Sequence, residues 1–472
     1  MIYHHFFDRY GEKKQVHAAI IGAGHYGTAV VTQQHYVKQL VVPLVVDMNR
    51  DAAKSSLEKA GIKPEMIVYA SEVSEGKKAI ADGKFVYTDN AALALEIPCI
   101  DVIVEATGNP EAGARFCLKA LENGKHIASV SKELDSCVGP VLRRIALEKG
   151  LVYSPVDGDQ PALFMQLVEW ARLIGLTVIS GGKSRDAEFI LDEEKRTVSV
   201  RANGITVHED QSVTIPENYL KYFKMIPDSP GAAAEYLGKR LEILGDMPVG
   251  GAFDLCELTM MANAVNFHPS VPDTSSGVLR INELPVAYCS KKNGGIYEDE
   301  GVVDLVTPLR RRDEGGMGGG VFIVVRCDNE YSNYILTTKG QIANYGLSTA
   351  LIYRPYHLCG VETSTTILSA GLLKMDTGAR DYIPAYDLIK YAACDIEKGT
   401  VFGDDHDLRL NAQIVPVTKR AMDSAIPGHL MTGNKAAAFI PKGKVITYAS
   451  VEEPRNSALW ELRAKQEKMF GG

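Results

Sequence analysis

Several features that mark whole classes of protein are absent from this sequence. Its 472 residues contain no apolar run of the roughly 18–20 residues needed to cross a bilayer. Its 51 lysines and arginines are outnumbered by 59 aspartates and glutamates, for a formal net charge of −8 at pH 7. It therefore lacks the positive excess that is typical of a nucleic-acid binder. The first residues show no basic leader followed by an apolar block, so we expect no secretory signal and a cytoplasmic location.

Cysteine pairs with short spacing are also missing. The 8 cysteines are widely spaced and form no C-x-x-C motif, so we expect buried free thiols in a reducing compartment. Hydrophobic residues make up 46% and charged residues 23%, which is close to the globular average. At about 100–200 residues per domain, this length indicates roughly two to four domains. We expect the partner to be a small-molecule substrate, and neither nucleic acid nor a membrane.

The first third alternates short apolar runs with helix-like stretches. Apolar runs cover 16–21, 40–46, 101–104 and 125–130, and Asn109-Pro110 is typical of a helix start. Continuous apolar strands that alternate with helices indicate a parallel sheet covered on both faces. We therefore predict an α/β chain whose residues 1–155 form a Rossmann dinucleotide-binding domain.

A glycine motif follows the first apolar run and precedes a helix. In Gly22-x-Gly24-x-x-Gly27, the first glycine permits the tight turn, the second lets the backbone approach a pyrophosphate, and the third allows close packing of helix on strand. The helix start then offers free N–H groups to the phosphates. His25 and Tyr26 lie between these glycines, and we include both among the residues that bind NAD or NADP.

The choice between NAD and NADP stays open. Asp47 ends the second apolar run, about 20 residues after the glycines, and could accept hydrogen bonds from the adenosine ribose, which favours NAD. Arg50 could instead pair with a 2′-phosphate, which favours NADP, or be a solvated surface residue.

Three further residues follow strand ends, where ligands of open α/β sheets bind. Thr107 and Gly108 come after the run that ends at Val104. Lys132 occupies the equivalent place after the next strand. It could hold a cofactor ribose or a substrate oxyanion, or be a solvated loop lysine.

Residues 156–381 form a predicted central α+β domain for substrate binding and oligomerisation. A helix is expected over 161–174 and a strand over 176–180, followed by a Gly181-Gly182-Lys183 turn. The polar segment 185–230 is interpreted as an irregular insertion that forms a lid or an oligomer contact. A buried helix is expected over 253–267.

Residues 382–472 form a predicted small β-rich domain, in which Lys398-Gly399 and Lys442-Gly443 turns separate short strand-like pieces.

The central part contains six candidate catalytic residues. Lys183 could bind an anion or polarise a carbonyl, or be an exposed turn lysine. Asp159 could orient Lys183 or merely cap the following helix. Glu257, in an otherwise apolar helix, needs a partner, so it belongs either to a site or to a buried structural network. The others form a short loop: Arg354, His357 and Glu362.

That loop combines an anion binder with a titratable ring. Arg354 suits bidentate capture of an anion, and His357 could act as a general acid or a metal ligand. The spacing is not a zinc signature. If the enzyme uses a metal, Mg²⁺ or Mn²⁺ with carboxylate ligands fits a chelated hydroxyketone better than zinc does. We assign no residue as a metal ligand.

These motifs together resemble a known family. Ile21-Gly22-Ala23-Gly24 and Val104-Glu105-Ala106-Thr107-Gly108 resemble the NAD(P)-binding domain of homoserine dehydrogenases. Gly181-Gly182-Lys183 and Tyr353-Arg354-Pro355-Tyr356-His357-Leu358 look like a branch with a C-terminal SAF domain, a small β-clip. The resemblance to the deoxyxylulose-phosphate reductoisomerase-like members implies rearrangement followed by hydride transfer, a place in isoprenoid biosynthesis and a homo-oligomer, dimer or tetramer.

One departure from that branch concerns the substrate. Gly250-Gly251-Ala252-Phe253 stands where the resemblance implies an Asp-Gly-Ser/Thr-Lys segment, so a family lysine is missing. This change favours, as an alternative, an oxidoisomerase of a non-phosphorylated branched sugar acid. A homoserine dehydrogenase and a non-catalytic dinucleotide sensor are the remaining alternatives.

Overall fold

The computed structural model describes residues 3–11, 13–204 and 207–471. Three sheets organise the chain, of seven, ten and two strands. No helix within these ranges is both long and apolar enough to cross a bilayer. The eight cysteines form no disulfide in the described ranges. Four of them are buried as expected, whereas Cys99 and Cys394 are exposed because they lie in surface connections outside the helices and strands.

The first sheet is entirely parallel, in the order β3-β4-β2-β1-β5-β6-β7, which confirms the predicted Rossmann-type α/β unit. Asn109 caps one of its helices by accepting a hydrogen bond from the N–H of Ala112, as the Asn-Pro pair predicts. Its strands are β1 Val16–Ile21, β2 Leu40–Val46, β3 Ile67–Tyr69, β4 Phe85–Thr88, β5 Val102–Glu105, β6 His126–Ser129 and β7 Tyr153–Pro155. Its helices are α1 Tyr3–Tyr10, α2 His25–Gln33, α3 Arg50–Lys59, α4 Val73–Ala81, α5 Ala92–Glu96, α6 Pro110–Glu122 and α7 Lys132–Glu148.

The second sheet is mixed and has the main order β11-β10-β9-β14-β8-β15-β17-β16, with β12 and β13 also paired to β14. Helices α8 and α10 pack on its central strands and on each other. The strands are β8 Thr177–Ser184, β9 Phe189–Asp192, β10 Thr197–Val200, β11 Gln211–Thr214, β12 His268–Pro269, β13 Gly277–Leu279, β14 Val302–Arg310, β15 Val321–Arg326, β16 Ile342–Ala343 and β17 Ala350–Arg354. The helices are α8 Gln160–Leu173, α9 Ala232–Leu244, α10 Ala252–Val265, α11 Leu284–Ala287, α12 Glu330–Thr338 and α13 Ser364–Leu368.

The expected turn at Gly181-Gly182-Lys183 is wrong, because β8 continues through these residues to Ser184. The reason is contact on both sides. A Cβ at Gly181 would lie 2.6 Å from the carbonyl oxygen of Phe322, and one at Gly182 would lie 1.9 Å from that of Asp304. The glycines therefore allow two flanking strands to approach, rather than bend the chain.

The segment 185–230 is also more regular than expected. It supplies β9, β10 and β11, which extend one edge of the second sheet, and a 3₁₀ helix over Glu217–Phe223. Its strands alternate buried residues such as Val198 and Val200 with more exposed ones, a short period-2 pattern that the charge runs obscure. Its role as a lid or an oligomer contact stays a prediction.

The C-terminal part contains one two-stranded antiparallel sheet, β18 Tyr386–Ala392 with β19 Leu410–Pro416, and helices α14 Gly428–Met431 and α15 Ala458–Phe470. The segments beside the two lysine-glycine turns pair through a bridge between Ile396 and Ile440. Their apolar side chains join the buried cluster of α6 and α7. The SAF assignment and the domain limits at 155 and 381 stay predictions.

A buried carboxylate joins the first and C-terminal parts and predicts a pH effect on stability. The hydroxyls of Tyr153 and Tyr382 both donate to Asp135 in α7. Burial raises the pKa of Asp135 to about 6, against the opposing effect of these hydrogen bonds. An unfolded aspartate titrates near pH 3.9. Between about pH 4 and 6 the folded form therefore keeps a proton that the unfolded form releases, so this residue's stabilising contribution is lost as the pH rises.

We expect the Asp135→Asn variant, which cannot titrate, to show a weaker decline of the thermal midpoint between pH 4 and 6 than the wild type. Differential scanning calorimetry at fixed ionic strength measures both slopes. Equal slopes would show that folding does not raise the pKa of Asp135.

Candidate active site

The glycine turn between β1 and α2 contains two kinds of glycine. Gly22 has φ of +108°, and a Cβ there would lie 2.2 Å from the carbonyl oxygen of Ala106. A Cβ on Gly27 would lie 2.1 Å from the carbonyl oxygen of Gly22. By contrast, no atom lies within 4 Å of a Cβ built on Gly24. The turn thus needs two glycines for its own packing and exposes bare main chain at the third, as a pyrophosphate site requires.

Asp47 supports this turn from the end of β2. One carboxylate oxygen accepts from the N–H of Ala23 at 2.7 Å, and the other accepts from the N–H of Asn49 at 2.8 Å. Arg50 pairs instead with Asp89 at 2.8 Å and lies over the ring of Tyr69. Both are placed where the adenosine half of a dinucleotide is expected, and Arg50 would have to leave Asp89 to hold a 2′-phosphate.

The two residues between Gly24 and Gly27 have different surroundings. His25 is the first residue of α2 and is exposed. The hydroxyl of Tyr26 forms a 2.8 Å hydrogen bond with the hydroxyl of Thr363. Tyr26 therefore connects the glycine-turn helix to the segment that follows β17, rather than facing solvent.

The carboxyl ends of β5 and β6 meet beside the turn. The Thr107 hydroxyl donates to Glu105 at 2.5 Å, and the Gly108 N–H donates to the hydroxyl of Ser131 at 2.9 Å. Lys132 is the first residue of α7, so the alternative of a solvated loop lysine is wrong. The helix starts shortly after β6 because Leu134 and Val138 continue the buried face. The Lys132 side chain contacts Glu257 of α10.

A cluster of charged side chains lies where α7, β8 and α10 meet. The Lys132 ammonium contacts one oxygen of Glu257, and the Lys183 ammonium contacts the other at 2.5 Å. Lys183 also pairs with Asp254 at 2.9 Å, and Arg185 approaches the same carboxylate at 3.4 Å. Apart from Lys132, these side chains are at most 5% exposed. Three predicted residues, 132, 183 and 257, thus come together from distant parts of the chain.

The cluster holds its members charged. Burial raises the pKa of Glu257, but the charges of Lys132 and Lys183 outweigh it and hold that pKa at about 2. Burial also lowers the pKa of both lysines, and the neighbouring carboxylates more than reverse this and raise it. Near neutral pH the cluster therefore presents two ammonium groups that Glu257 bridges and of which Lys183 also contacts Asp254, an arrangement that suits stabilisation of a negative oxygen.

Asp159 and His357 border the cluster. Asp159 accepts a 2.9 Å hydrogen bond from the N–H of Gln160, so it does cap α8. Its pKa is raised, first by burial and then by the charge of Glu257. The Nδ1 atom of His357 lies 2.6 Å from the carbonyl oxygen of Gly319. Asp159 therefore caps α8 and also lies close enough to the cluster for the charge of Glu257 to affect its pKa.

The loop after β17 lies against the glycine-turn helix. Arg354 pairs with Glu362 at 2.7 Å and lies over the ring of Tyr356. Gly360 has φ of +74°, and a Cβ there would lie 2.7 Å from the carbonyl oxygen of Tyr26. The loop is therefore packed against α2, and Arg354 and Glu362 neutralise each other within it.

Sequence reasoning missed Asp254, Arg185 and Phe253. Asp254 lies one helical turn before Glu257 on the same apolar helix, and Arg185 lies two residues after Lys183, directly past the end of β8. Side chains three positions apart on a helix, or two positions apart in an extended chain, lie on the same face. Each missed residue therefore lies on the same face as the predicted one. The Phe253 ring lies 5.4 Å and 5.6 Å from the ammonium groups of Lys132 and Lys183. The one sequence signal for Phe253 is that it stands where the family resemblance implies a lysine.

The carboxylates of the cluster do not form an open cation site, because lysine ammonium groups contact Asp254 and both oxygens of Glu257. Another group, Cys256, Asp405 and His429, has ligand atoms within 4.8 Å of one another. There Asp405 already pairs with Lys390 at 2.9 Å and with His429 at 3.0 Å. Neither donor set fits a divalent ion as arranged, and we derive no step through a metal.

Two family models match separate parts of the chain. The model described as "Homoserine dehydrogenase, NAD binding domain" matches residues 27–148. The model described as "Oxidoreductase DRL, catalytic domain" matches residues 218–363. The first includes Lys132 and the second includes Glu257, so the contact between these residues joins the two matched segments.

Similar proteins match over limited lengths. A homoserine dehydrogenase of Methylobacillus glycogenes is 31% identical over 119 residues, which are 25% of this chain and 29% of that protein. A 1-deoxy-D-xylulose 5-phosphate reductoisomerase of Leptospira biflexa is 34% identical over 151 residues, 30% of this chain and 37% of that protein. The chain thus spans about a third of these relatives. A solved NAD-binding oxidoreductase from Klebsiella pneumoniae has 13% identity and a TM-score of 0.27, covering 37% of this chain and 43% of that one.

Proposed function

Because the chain carries a homoserine dehydrogenase-type NAD-binding segment and a DRL-type oxidoreductase segment, we propose that it is an NAD(P)-dependent oxidoreductase. Its substrate is a small keto-sugar, sugar phosphate or sugar acid. The observation that carries the proposal is the Lys132–Glu257–Lys183 bridge. It lies beside the carboxyl edge of the parallel sheet, where dinucleotide-binding folds place their ligands.

The chemistry follows from charge and position. The bound nicotinamide supplies or accepts a hydride at the substrate carbon. The Lys132 and Lys183 ammonium groups can donate hydrogen bonds to the oxygen on that carbon and stabilise its negative charge as the carbonyl is reduced. Glu257 keeps both ammonium groups in place and protonated. Asp159, whose pKa is raised first by burial and then by the charge of Glu257, is a group suited to exchange the hydroxyl proton.

One observation favours the sugar-acid alternative over a sugar phosphate. Phe253 occupies the position where the resemblance implies a lysine, and its ring covers the two remaining ammonium groups. The substrate half therefore has one cation fewer for a doubly charged phosphate. On this ground we favour an oxidoisomerase of a non-phosphorylated branched sugar acid over a deoxyxylulose-phosphate reductoisomerase.

A direct assay tests the proposal. The protein is mixed with reduced or oxidised NAD and NADP, with and without Mn²⁺, and with 1-deoxy-D-xylulose 5-phosphate, homoserine or branched sugar acids. Absorbance of the reduced nicotinamide reports turnover, and we expect it with a sugar acid. Cofactor binding without turnover on any substrate would indicate a dinucleotide sensor, and absence of cofactor binding would overturn the proposal. Light scattering on the same sample tests the proposed dimer or tetramer.

A further inference from the structure

A cleft separates the start of α10 from the C-terminal part of the chain. Its volume is about 650 Å³, within the range of sites for small ligands. One wall consists of Gly250, Phe253 and Arg185, and the other of His406, in the loop before β19, and Asn411, in β19 itself. The C-terminal part therefore forms one side of a cavity whose other side belongs to the catalytic cluster.

Phe253 is the boundary between this cleft and the lysines. On one side of the Phe253 ring, the ammonium groups of Lys132 and Lys183 lie 5.4 Å and 5.6 Å from the ring centroid. On the cleft side it stacks on His406, with centroids 5.8 Å apart and ring planes 26° apart. His406 is exposed and belongs to a loop of the C-terminal part.

The ion pairs of the cluster beside the cleft join three cations to two carboxylates, which is an excess of one cation. Lys132, Lys183 and Arg185 pair with Asp254 and Glu257, whereas the nearby Asp159 acts on Lys132 through its charge alone, and burial raises the pKa of that carboxyl. Arg185 is 1% exposed, and its Nε has no hydrogen-bond partner among the described residues. Another nitrogen of this guanidinium donates to the carbonyl oxygen of Pro248, and Nε lies 3.4 Å from the Asp254 carboxylate without forming a hydrogen bond to it, so the buried Nε–H group can still take an acceptor.

The other groups around the cleft do not cancel this excess. Asp405 pairs with Lys390 at 2.9 Å, and Asp407 pairs with Arg409 at 2.6 Å, which leaves the exposed Asp273 at the outer rim. The residues Gly250 to Phe253 line the cleft where α10 begins, and Gly251 at the N-cap offers no side chain to its N–H groups. A helix start favours an anion as well.

We infer that this cleft is the anion subsite for the substrate of the proposed oxidoreductase. The carboxylate or phosphate of a sugar derivative pairs with Arg185 beside the start of α10. His406, from the C-terminal part, positions the ligand through its contact with Phe253. This inference rests on the proposed function and gives the C-terminal part a role in substrate binding.

Isothermal titration with three probes tests the subsite: D-ribonate, D-ribose 5-phosphate and neutral D-ribose. We expect one of the charged probes to bind the wild type at least about tenfold more tightly than ribose, because a charge-assisted hydrogen bond supplies that factor. Preference for ribonate assigns a carboxylate, and preference for ribose 5-phosphate assigns a phosphate. Arg185→Gln should remove the preference and Arg185→Lys should restore part of it.

His406→Ala is a second test variant, and we expect it to fold because the His406 ring is exposed. We expect it to weaken binding of the preferred charged probe several-fold, whereas the exposed Arg312→Gln leaves it unchanged. Gly24→Val should retain probe binding while losing the dinucleotide, so failure of the cofactor site and of this subsite are separable. Equal affinity for charged and neutral probes, or unchanged binding in the folded His406→Ala variant, would overturn the inference.

Discussion

Replacing Lys132 with methionine should lower nicotinamide-dependent turnover about 100-fold or more, with the fold intact. The change removes one of the two ammonium groups that we propose act on the substrate oxygen, and loss of one such donor typically costs a factor of ~10²–10³. Folding should persist because Lys132 is 24% exposed and Glu257 keeps Lys183 as its counter-charge. Steady-state kinetics with the substrate identified by the assay above measures kcat and KM.

Two matched variants separate chemistry from stability. Lys149→Met changes an exposed lysine directly after α7 and should leave turnover unchanged. Lys132→Arg keeps the charge but not the compact ammonium, and it should recover only part of the rate. If Lys132→Met retains the wild-type kcat while its thermal midpoint is also unchanged, the lysine does not act on the substrate.

Replacing Gly24 with valine should abolish dinucleotide binding without reducing stability. The space around its Cβ position is open in the protein, so the valine side chain fits there, but it occupies the approach of the pyrophosphate to the main chain. We expect affinity for NADH or NADPH to fall more than about 100-fold, because the close backbone contacts to both phosphates are lost together. Fluorescence titration of the reduced cofactor measures the affinity.

Gly27→Ala is the contrasting variant. Its added methyl group would lie 2.1 Å from the carbonyl oxygen of Gly22, so the helix must shift from the strand. Overpacking of this kind costs about 1–3 kcal/mol, and the thermal midpoint should fall. A normal cofactor affinity in Gly24→Val, with its fold confirmed by circular dichroism, would exclude the glycine turn as the pyrophosphate site.

Elements held by local patterns were predictable. The apolar runs at 16–21 and 40–46 coincide with β1 and β2, and the Asn109-Pro110 start coincides with the cap of α6. Each of these depends on residues within a few positions, through periodicity, backbone freedom or capping. The glycine turn belongs to the same group, because strand, turn and helix follow one another directly.

Other elements depended on neighbours far along the chain. The glycines at 181 and 182 suggested a turn, and only the strands that contain Phe322 and Asp304 explain why the chain stays extended there. The charge runs of 185–230 suggested irregular structure, but pairing with β14 orders β9 within the second sheet. A sequence shows composition at these sites and does not show which strand lies alongside.

The amino-acid order alone established a parallel dinucleotide-binding sheet, its glycine turn and a set of candidate charged residues, since strand periodicity and turn chemistry act over short distances. It could not show that Lys132, Lys183 and Glu257 share one ion-pair cluster, or that Arg185 and Asp254 complete it. Those contacts bring together residues up to 125 positions apart. They form only when separate sheets pack, because burial there makes each charge depend on a partner from another element.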